Sequence, residues 1–376
     1  MVMGPSCGLM LADLGAEVIK VEPIEGDNTR RLEHAGAGFF PVFNRNKKSL
    51  AVDLKHAEGR ELALRLVDTS DVLTENFRPG ALDKLGFGYQ SLKASNPKLI
   101  YCSLKGFLKG PYEHRAALDE VTQMMGGLAY MTGLPDRPLR AGSSVIDIMG
   151  GTFAALGIVA ALRERERTGK GCRVTSALFE TTALLVAQHM AQYELTGEAP
   201  PPMSVKRPAW GIYDIFETKD GGRLFVGVVT DTQWEVFCLE FGESELAGDA
   251  RLKSNGMRVR ERAWLIPRLE QTLKKFAQRD LAAKLEAIGL PFAPIAKPWD
   301  LLDDPHLKAS GGLLPTRIGK KTINVPALPL EFDGERLAKR ADPPAIGEHG
   351  RELLAQLGCS PEQIAGLVAR RVVAFP

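Results

Sequence analysis

Little in this 376-residue chain points to a metal, a disulfide framework or a charged polymer as its partner. The five cysteines (Cys7, Cys102, Cys172, Cys238 and Cys359) lie far apart with no CxxC spacing, the pattern of reduced and mostly buried thiols. The six histidines show no HxxH or HExxH arrangement and no Cys/His spacing, so a zinc site has no ligand set to start from. A GxSxG nucleophile elbow is missing. So is a P-loop, because Thr168-Gly169-Lys170-Gly171 lacks both the upstream glycine and the trailing hydroxyl. With 48 basic and 46 acidic residues the charge is close to balanced, and no strong field argues for nucleic acid or an anionic membrane. The opening segment lacks the basic flank and cleavage site of a signal peptide, so a cytoplasmic location is expected. The longest apolar run, Ile148 to Leu162, falls short of the ~20 residues of a membrane span and carries three glycines. A buried helix is expected there.

What is present is an ordinary globular composition, 44% apolar and 25% charged, at a length that suits about two domains. The first half alternates helical and strand patterns. Helices are expected over Gly8 to Leu14, Glu58 to Asp68 and Tyr89 to Ala94, and strands over Glu17 to Glu22, Asp71 to Thr74 and Leu99 to Leu104. Helices over Leu118 to Tyr130 and Ile148 to Arg167, a strand over Cys172 to Ser176 and a helix over Ala177 to Leu195 follow. This alternation predicts an α/β protein with a doubly wound, Rossmann-like parallel sheet. Pro200-Pro201-Pro202 marks a boundary. Beyond it, Ile212 to Thr218 and Arg223 to Val229 flank a Lys-Asp-Gly-Gly turn, and helices are expected over Thr232 to Phe241 and Arg260 to Ile288. The reading is a large domain over 1–200, a small α+β domain over 201–303 and a return to the large domain over 304–376. Ser360-Pro361-Glu362-Gln363 has the form of a capping box that opens a last helix.

Two places carry candidate chemistry. Glu75-Asn76-Phe77-Arg78-Pro79-Gly80 sits where a strand ends, at the carboxyl edge of the sheet where α/β proteins bind ligands. There Asn76 supplies a donor and an acceptor, Phe77 a flat face and Arg78 a fork for phosphate, with Lys84, Lys105 and Arg115 at later loop positions. A nucleotide-like ligand and a merely solvated turn are both open on these residues. The second place is Asp147, directly before the apolar run. It reads either as the cap of that helix or as a carboxylate nucleophile held ionised by the helix dipole, with Gly150 and Gly151 leaving room for a substrate. Asp119, at an earlier helix start, is a candidate second carboxylate. A dinucleotide site is suggested by Glu22 at the end of EVIKVE, but GxGxxG is absent and no strand precedes the first helix.

The segments LADLGAEVIKVEP (11–23), GDNTR (26–30), NRNKKSLAVDLK (44–55), ENFRPGALDKLGFGY (75–89), NPKLIYCSLKGF (96–107), VIDIMGGTFAALGIVAALRERERTGKG (145–171), DPHLK (304–308) and GEHGRELLAQLG (347–358) together resemble the class III CoA-transferase family. This family includes formyl-CoA and carnitine-CoA transferases and α-methylacyl-CoA racemases. The resemblance spans nearly the whole chain. It implies that Asp147 is the catalytic nucleophile, that Asp119 is a second carboxylate near it, and that CoA is held by Leu54, Lys55, Asn76, Phe77, Arg78, Lys84 and Arg115. It also implies CoA and acyl-CoA as substrates with no permanent cofactor, and an interlocked, ring-like homodimer. The racemase branch carries a histidine before the acid that matches Asp119, whereas this chain has Leu118, which favours transfer over racemisation; the retained Asp147 disfavours an inactive scaffold. A glycine run of the formyl-CoA branch is replaced by residues 205–210, where Lys206 and Arg207 face either an acceptor acid or solvent. Family members start with a strand before the position of Gly4, so a start upstream of Met1 is expected.

Overall fold

A computed structural model describes residues 1–205 and 208–376. The chain forms two compact units, Met1–Val205 with Pro305–Pro376, and Lys206–Asp304.

In the first unit, helix α1 (Met3–Asp13) leads into strand β1 (Val18–Glu22), which pairs in parallel with β2 (Lys47–Val52). The C-terminal strand Val373–Ala374 adds antiparallel to β2. After α2 (Ala57–Asp68), β3 (Val72–Glu75), β4 (Ile100–Lys105) and β5 (Arg173–Ala177) form a second parallel set in the order β3-β4-β5. The fold is therefore α/β with parallel sheet elements. Its parallel strands lie in two three-stranded sheets, with two further two-stranded sheets in residues 313–336. Helix α1 touches β1, β2 and β3 and so covers the seam between the sheets.

Helices α3 (Asp119–Met125) and α4 (Val145–Thr168) carry the residues of chemical interest. The single helix expected over Leu118 to Tyr130 is broken, because Gly127 takes φ +83°, a left-handed conformation that ends α3 before a short helix restarts at Leu128. The helix expected over Ala177 to Leu195 divides at Val186. Helix α1 begins five residues earlier than expected, since Pro5 is tolerated in a first turn. At 24 residues and mean hydropathy 2.0 over its apolar window, α4 does reach the length and composition of a membrane-crossing helix, contrary to the estimate from run length. One of its faces is instead packed against α1, β4 and β5, with Ile146, Ala154 and Ile158 fully buried beside Met3, Cys7, Ile100 and Leu104.

The second unit is built on the antiparallel strands Ile212–Glu217, Arg223–Val228 and Phe292–Pro294. The third strand follows the last helix read for this unit from the sequence. The region expected as one long helix from Arg260 to Ile288 is two (Arg262–Leu273 and Gln278–Ala287), preceded by a short helix Asn255–Arg260, and the unit has a core of Phe216, Leu224, Val226, Phe237 and Leu269. Thr230 with Gln233 caps the helix Asp231–Glu240, and the Ser360–Gln363 capping box forms in full at the last helix. The hairpin Leu313–Ile318 with Lys321–Pro326 has no counterpart in the sequence reading.

Candidate active site

The site is built where the start of α1 meets the first turn of α4. An α-helix leaves its first N–H groups without internal partners, and here two such helix starts are tied to carboxylates. In α4, Ser144 is the N-cap residue but makes no side-chain cap bond. The free N–H groups of Ile146 and Asp147 instead donate to Asp119 Oδ2 at 2.9 and 3.1 Å. Asp147 is thus inside the helix, in its first turn, and does not cap it. Asp119, 28 residues earlier, is the cap. In α1, the backbone N–H of Met3 favours the charged form of the Asp147 carboxylate, and that of Gly4 faces Asn76 Oδ1 at 3.4 Å.

Asp119 is buried, and all its contacts are donors, as suits a carboxylate. Gln123, one turn on and fully buried, gives its amide N–H to Asp119 Oδ1 at 2.6 Å and accepts from the N–H of Ala141 at 2.8 Å. Arg140 lies 3.6 Å from the same Oδ1, and its guanidinium donates to the carbonyls of Ala141 (3.1 Å) and Ser143 (2.9 Å).

Asp147 is half-buried, and its carboxyl is pushed up to about 6. Loss of hydration on burial is the main cause; the Asp119 charge pushes further up, while Arg140 and the Met3 N–H pull down. The result is a carboxylate that is ionised at neutral pH yet more basic than a solvated one. Gly150 and Gly151 have a different use from the substrate clearance expected of them. A Cβ on Gly150 would stand 2.6 Å from Met3 Cε, and one on Gly151 would overlap Ser6 Oγ. Their bare backbone lets α1 press onto α4. Ser6 Oγ donates to the carbonyl of Met3 at 2.9 Å and approaches that of Asp147 at 3.5 Å.

Of the expected CoA contacts, Asn76 joins this centre through Gly4 and anchors its amide on the Leu104 carbonyl at 2.9 Å. Phe77 and Arg78 are exposed on the loop after β3. Lys105, bonded to Glu75 at 2.5 Å and to the Phe77 carbonyl at 3.0 Å, supports that loop. Arg78, Lys105, Arg173, Tyr89 and Tyr101 line a cavity of about 150 Å³. Lys84 is exposed in the 3₁₀ turn Asp83–Leu85, and Arg115 stacks on Tyr112 at 4.3 Å. Leu54 is half-buried and Lys55 exposed after β2. Leu118 is 60% exposed and bears no titratable group. Lys206 and Arg207 lie outside the described residues. Sequence reasoning missed Met3, Ser6, Gln123 and Arg140; only Gln123 carries a local signal, its i+4 spacing from Asp119.

An α/β unit with parallel strands thus gathers Asp147, Asp119, Gln123 and Arg140 at the start of α4. The profile of CoA-transferase family III matches residues 1–350, and the chain belongs to this family of CoA-transferases. It is 35% identical over 385 residues to the succinyl-CoA–D-citramalate CoA-transferase of Chloroflexus aurantiacus, covering 98% of this chain and 94% of that protein. It is also 35% identical to the succinate–glutarate CoA-transferase of Agrobacterium fabrum, covering 94% and 92%. A solved CAIB/BAIF family protein from Brucella suis superposes with TM-score 0.83 at 38% identity, over 95% of this chain and 96% of that one.

Proposed function

We propose that the enzyme moves CoA from an acyl-CoA to a free carboxylic acid through covalent intermediates on Asp147. The observation that carries this reading is the half-buried Asp147 carboxylate in the first turn of α4, a turn whose free N–H groups are held by Asp119, with burial raising Asp147 to about 6. Asp147 attacks the thioester carbon, the C–S bond breaks, and a mixed anhydride forms with release of CoA thiolate. The thiolate attacks the Asp147 carbonyl, giving an aspartyl-CoA thioester and the first acid. The acceptor carboxylate attacks that thioester and expels CoA thiolate, leaving an anhydride between Asp147 and the acceptor acyl group. The thiolate then attacks the acceptor's acyl carbon, which frees the new acyl-CoA and restores Asp147. One thioester replaces another, so barriers alone need lowering. The Met3 N–H is the donor positioned for the oxyanions that develop on the Asp147 carboxyl.

The names of the relatives point to succinyl-CoA as donor and a dicarboxylic acid as acceptor. CoA is assigned to the Asn76–Arg78 loop, Lys84, Leu54, Lys55 and Arg115. The exposed apolar faces of α4 (Leu156, Val159) and of the helices after β5 (Leu184, Met190, Leu195) support the homodimer that the resemblance implies. Racemisation has no support at position 118, where leucine carries no proton.

To test the reading, the enzyme is incubated with succinyl-CoA, trapped with hydroxylamine or borohydride, and mapped by mass spectrometry. An adduct at Asp147 and turnover with glutarate, mesaconate or D-citramalate are expected. Exchange of the α-proton with no adduct overturns the reading.

A further inference from the structure

The Arg140 guanidinium stands over the one acid that raises the nucleophile, and its geometry is that of a built feature. Its Nε and Nη2 are spent on the Ala141 and Ser143 carbonyls, in the loop that runs into α4. Its charged face meets Asp119 at 3.6 Å and, on the outer side, Glu120 at 3.8 Å. Gln123 closes the circuit by holding the Asp119 carboxylate and the Ala141 N–H together. Two carbonyls, two acids and a buried amide thus leave the guanidinium one position, and that position is beside the first turn that carries Asp147.

We propose that Arg140 is a positioning residue for CoA transfer. Clamped between the loop before α4 and Asp119, its charge offsets that of Asp119 at Asp147 and sets the pH at which the nucleophile is ready. This rests on Asp147 being the nucleophile.

Two side-chain charges act on the Asp147 carboxylate, Asp119 on α3 and Arg140 on the loop. Glu120, also on α3, is paired to Arg140. Lys105 of β4, Arg173 of β5 and Glu180 of the helix after β5 are engaged elsewhere, with Glu75, Ser103 and the Leu108 N–H respectively. Asp119 accepts two N–H groups of the α4 first turn, so it is required there as a cap, but its negative charge makes Asp147 harder to ionise. Arg140 removes that conflict. The cap stays and its field at the nucleophile is reduced.

The sign of the test follows. Attack needs the carboxylate form of Asp147. A positive charge nearby favours that form, so removing it moves the acid limb of the rate to higher pH, and removing Asp119 moves it to lower pH. The measurement is the single-turnover release of free CoA thiol from succinyl-CoA between pH 4.5 and 8.5. The wild-type inflection is expected near pH 6. Arg140→Gln is expected to raise it by roughly 0.5–1 unit, which costs about three- to tenfold in rate at the acid end and less than about twofold at pH 8. Arg140→Lys, which keeps the charge and loses the fork, is expected to bring it back, and Asp119→Asn to lower it.

A uniform loss of rate at all pH values in Arg140→Gln, with the inflection unmoved, is what a merely structural role produces and overturns the proposal. If Arg140→Gln does not fold, an unmoved or raised inflection in Asp119→Asn overturns it instead. If wild-type enzyme forms no adduct at Asp147, the nucleophile reading falls first and takes this one with it. An adduct with an unmoved inflection removes this one alone.

Discussion

At the scale of single residues, catalysis and stability pull against each other at Asp147. Its carboxyl is held above the ordinary range by burial, so the folded state binds the proton more tightly than the unfolded chain does. The stability cost is therefore absent at low pH, grows as pH rises between about 4 and 6, and stays in full above that. Asp147→Asn, which cannot ionise, is expected to stabilise the protein at pH 7.5 by ~1–3 kcal/mol while abolishing transfer. Thermal melts at pH 7.5 and pH 4 check this, with the gain vanishing at the lower pH. An equal gain at both values would mean that the carboxylate is not under strain. The residue itself stands out in the sequence as the one acid in an apolar stretch. The N–H donor from Met3 does not, because it is 144 residues away and belongs to a backbone that any residue type supplies.

At the scale of elements, the α1–α4 crossing aligns the site. Gly150 and Gly151 let the two helices close, and the closure is what brings the α1 N–H groups onto Asp147 and Asn76. Gly151→Ala places a methyl into Ser6 Oγ and against the Met3 carbonyl, which is backbone and cannot move aside cheaply. A loss of about 2–4 kcal/mol is expected by denaturant unfolding, with a drop in kcat larger than any change in KM, because the displaced N–H serves the chemical step. Lys47 secures the other side of α1. Its buried ammonium donates to the carbonyls of Pro5 (2.8 Å) and Phe43 (2.7 Å) and to Asn44 Oδ1 (3.2 Å). Lys47→Met strands those acceptors and is expected to cost about 2–4 kcal/mol, measured in the same unfolding experiment; a neutral result would show that water reaches them.

At the scale of the whole molecule, the first unit leaves broad apolar surface uncovered. Leu184 is 58% exposed, Met190 56% and Leu195 86%. Apolar area on this scale marks a surface that another chain covers. The proposed pair of subunits predicts sedimentation at about twice 40.9 kDa at micromolar concentration, and a shift toward the monomer, with aggregation, in Leu184→Asp. Sedimentation as a monomer across that range would refute it.

The chain by itself determined what depends on neighbours a few residues apart. Alternating patterns gave the α/β class, the Ser360 capping box gave the last helix start, and the unspaced cysteines gave free thiols, three of them buried. It also displayed Asp147, the Asn76–Arg78 loop and Asp119 as the residues to watch. Tertiary structure alone decided their relations. It made Asp119 the cap of a helix 28 residues away, used the glycine pair for helix contact, broke the long helices, and assembled Gln123 and Arg140 around Asp119 and the loop into α4. The physical reason is the same throughout. An unpaired N–H at a helix start or a missing Cβ creates a local demand, while the partner that meets it is chosen by packing between segments distant in sequence.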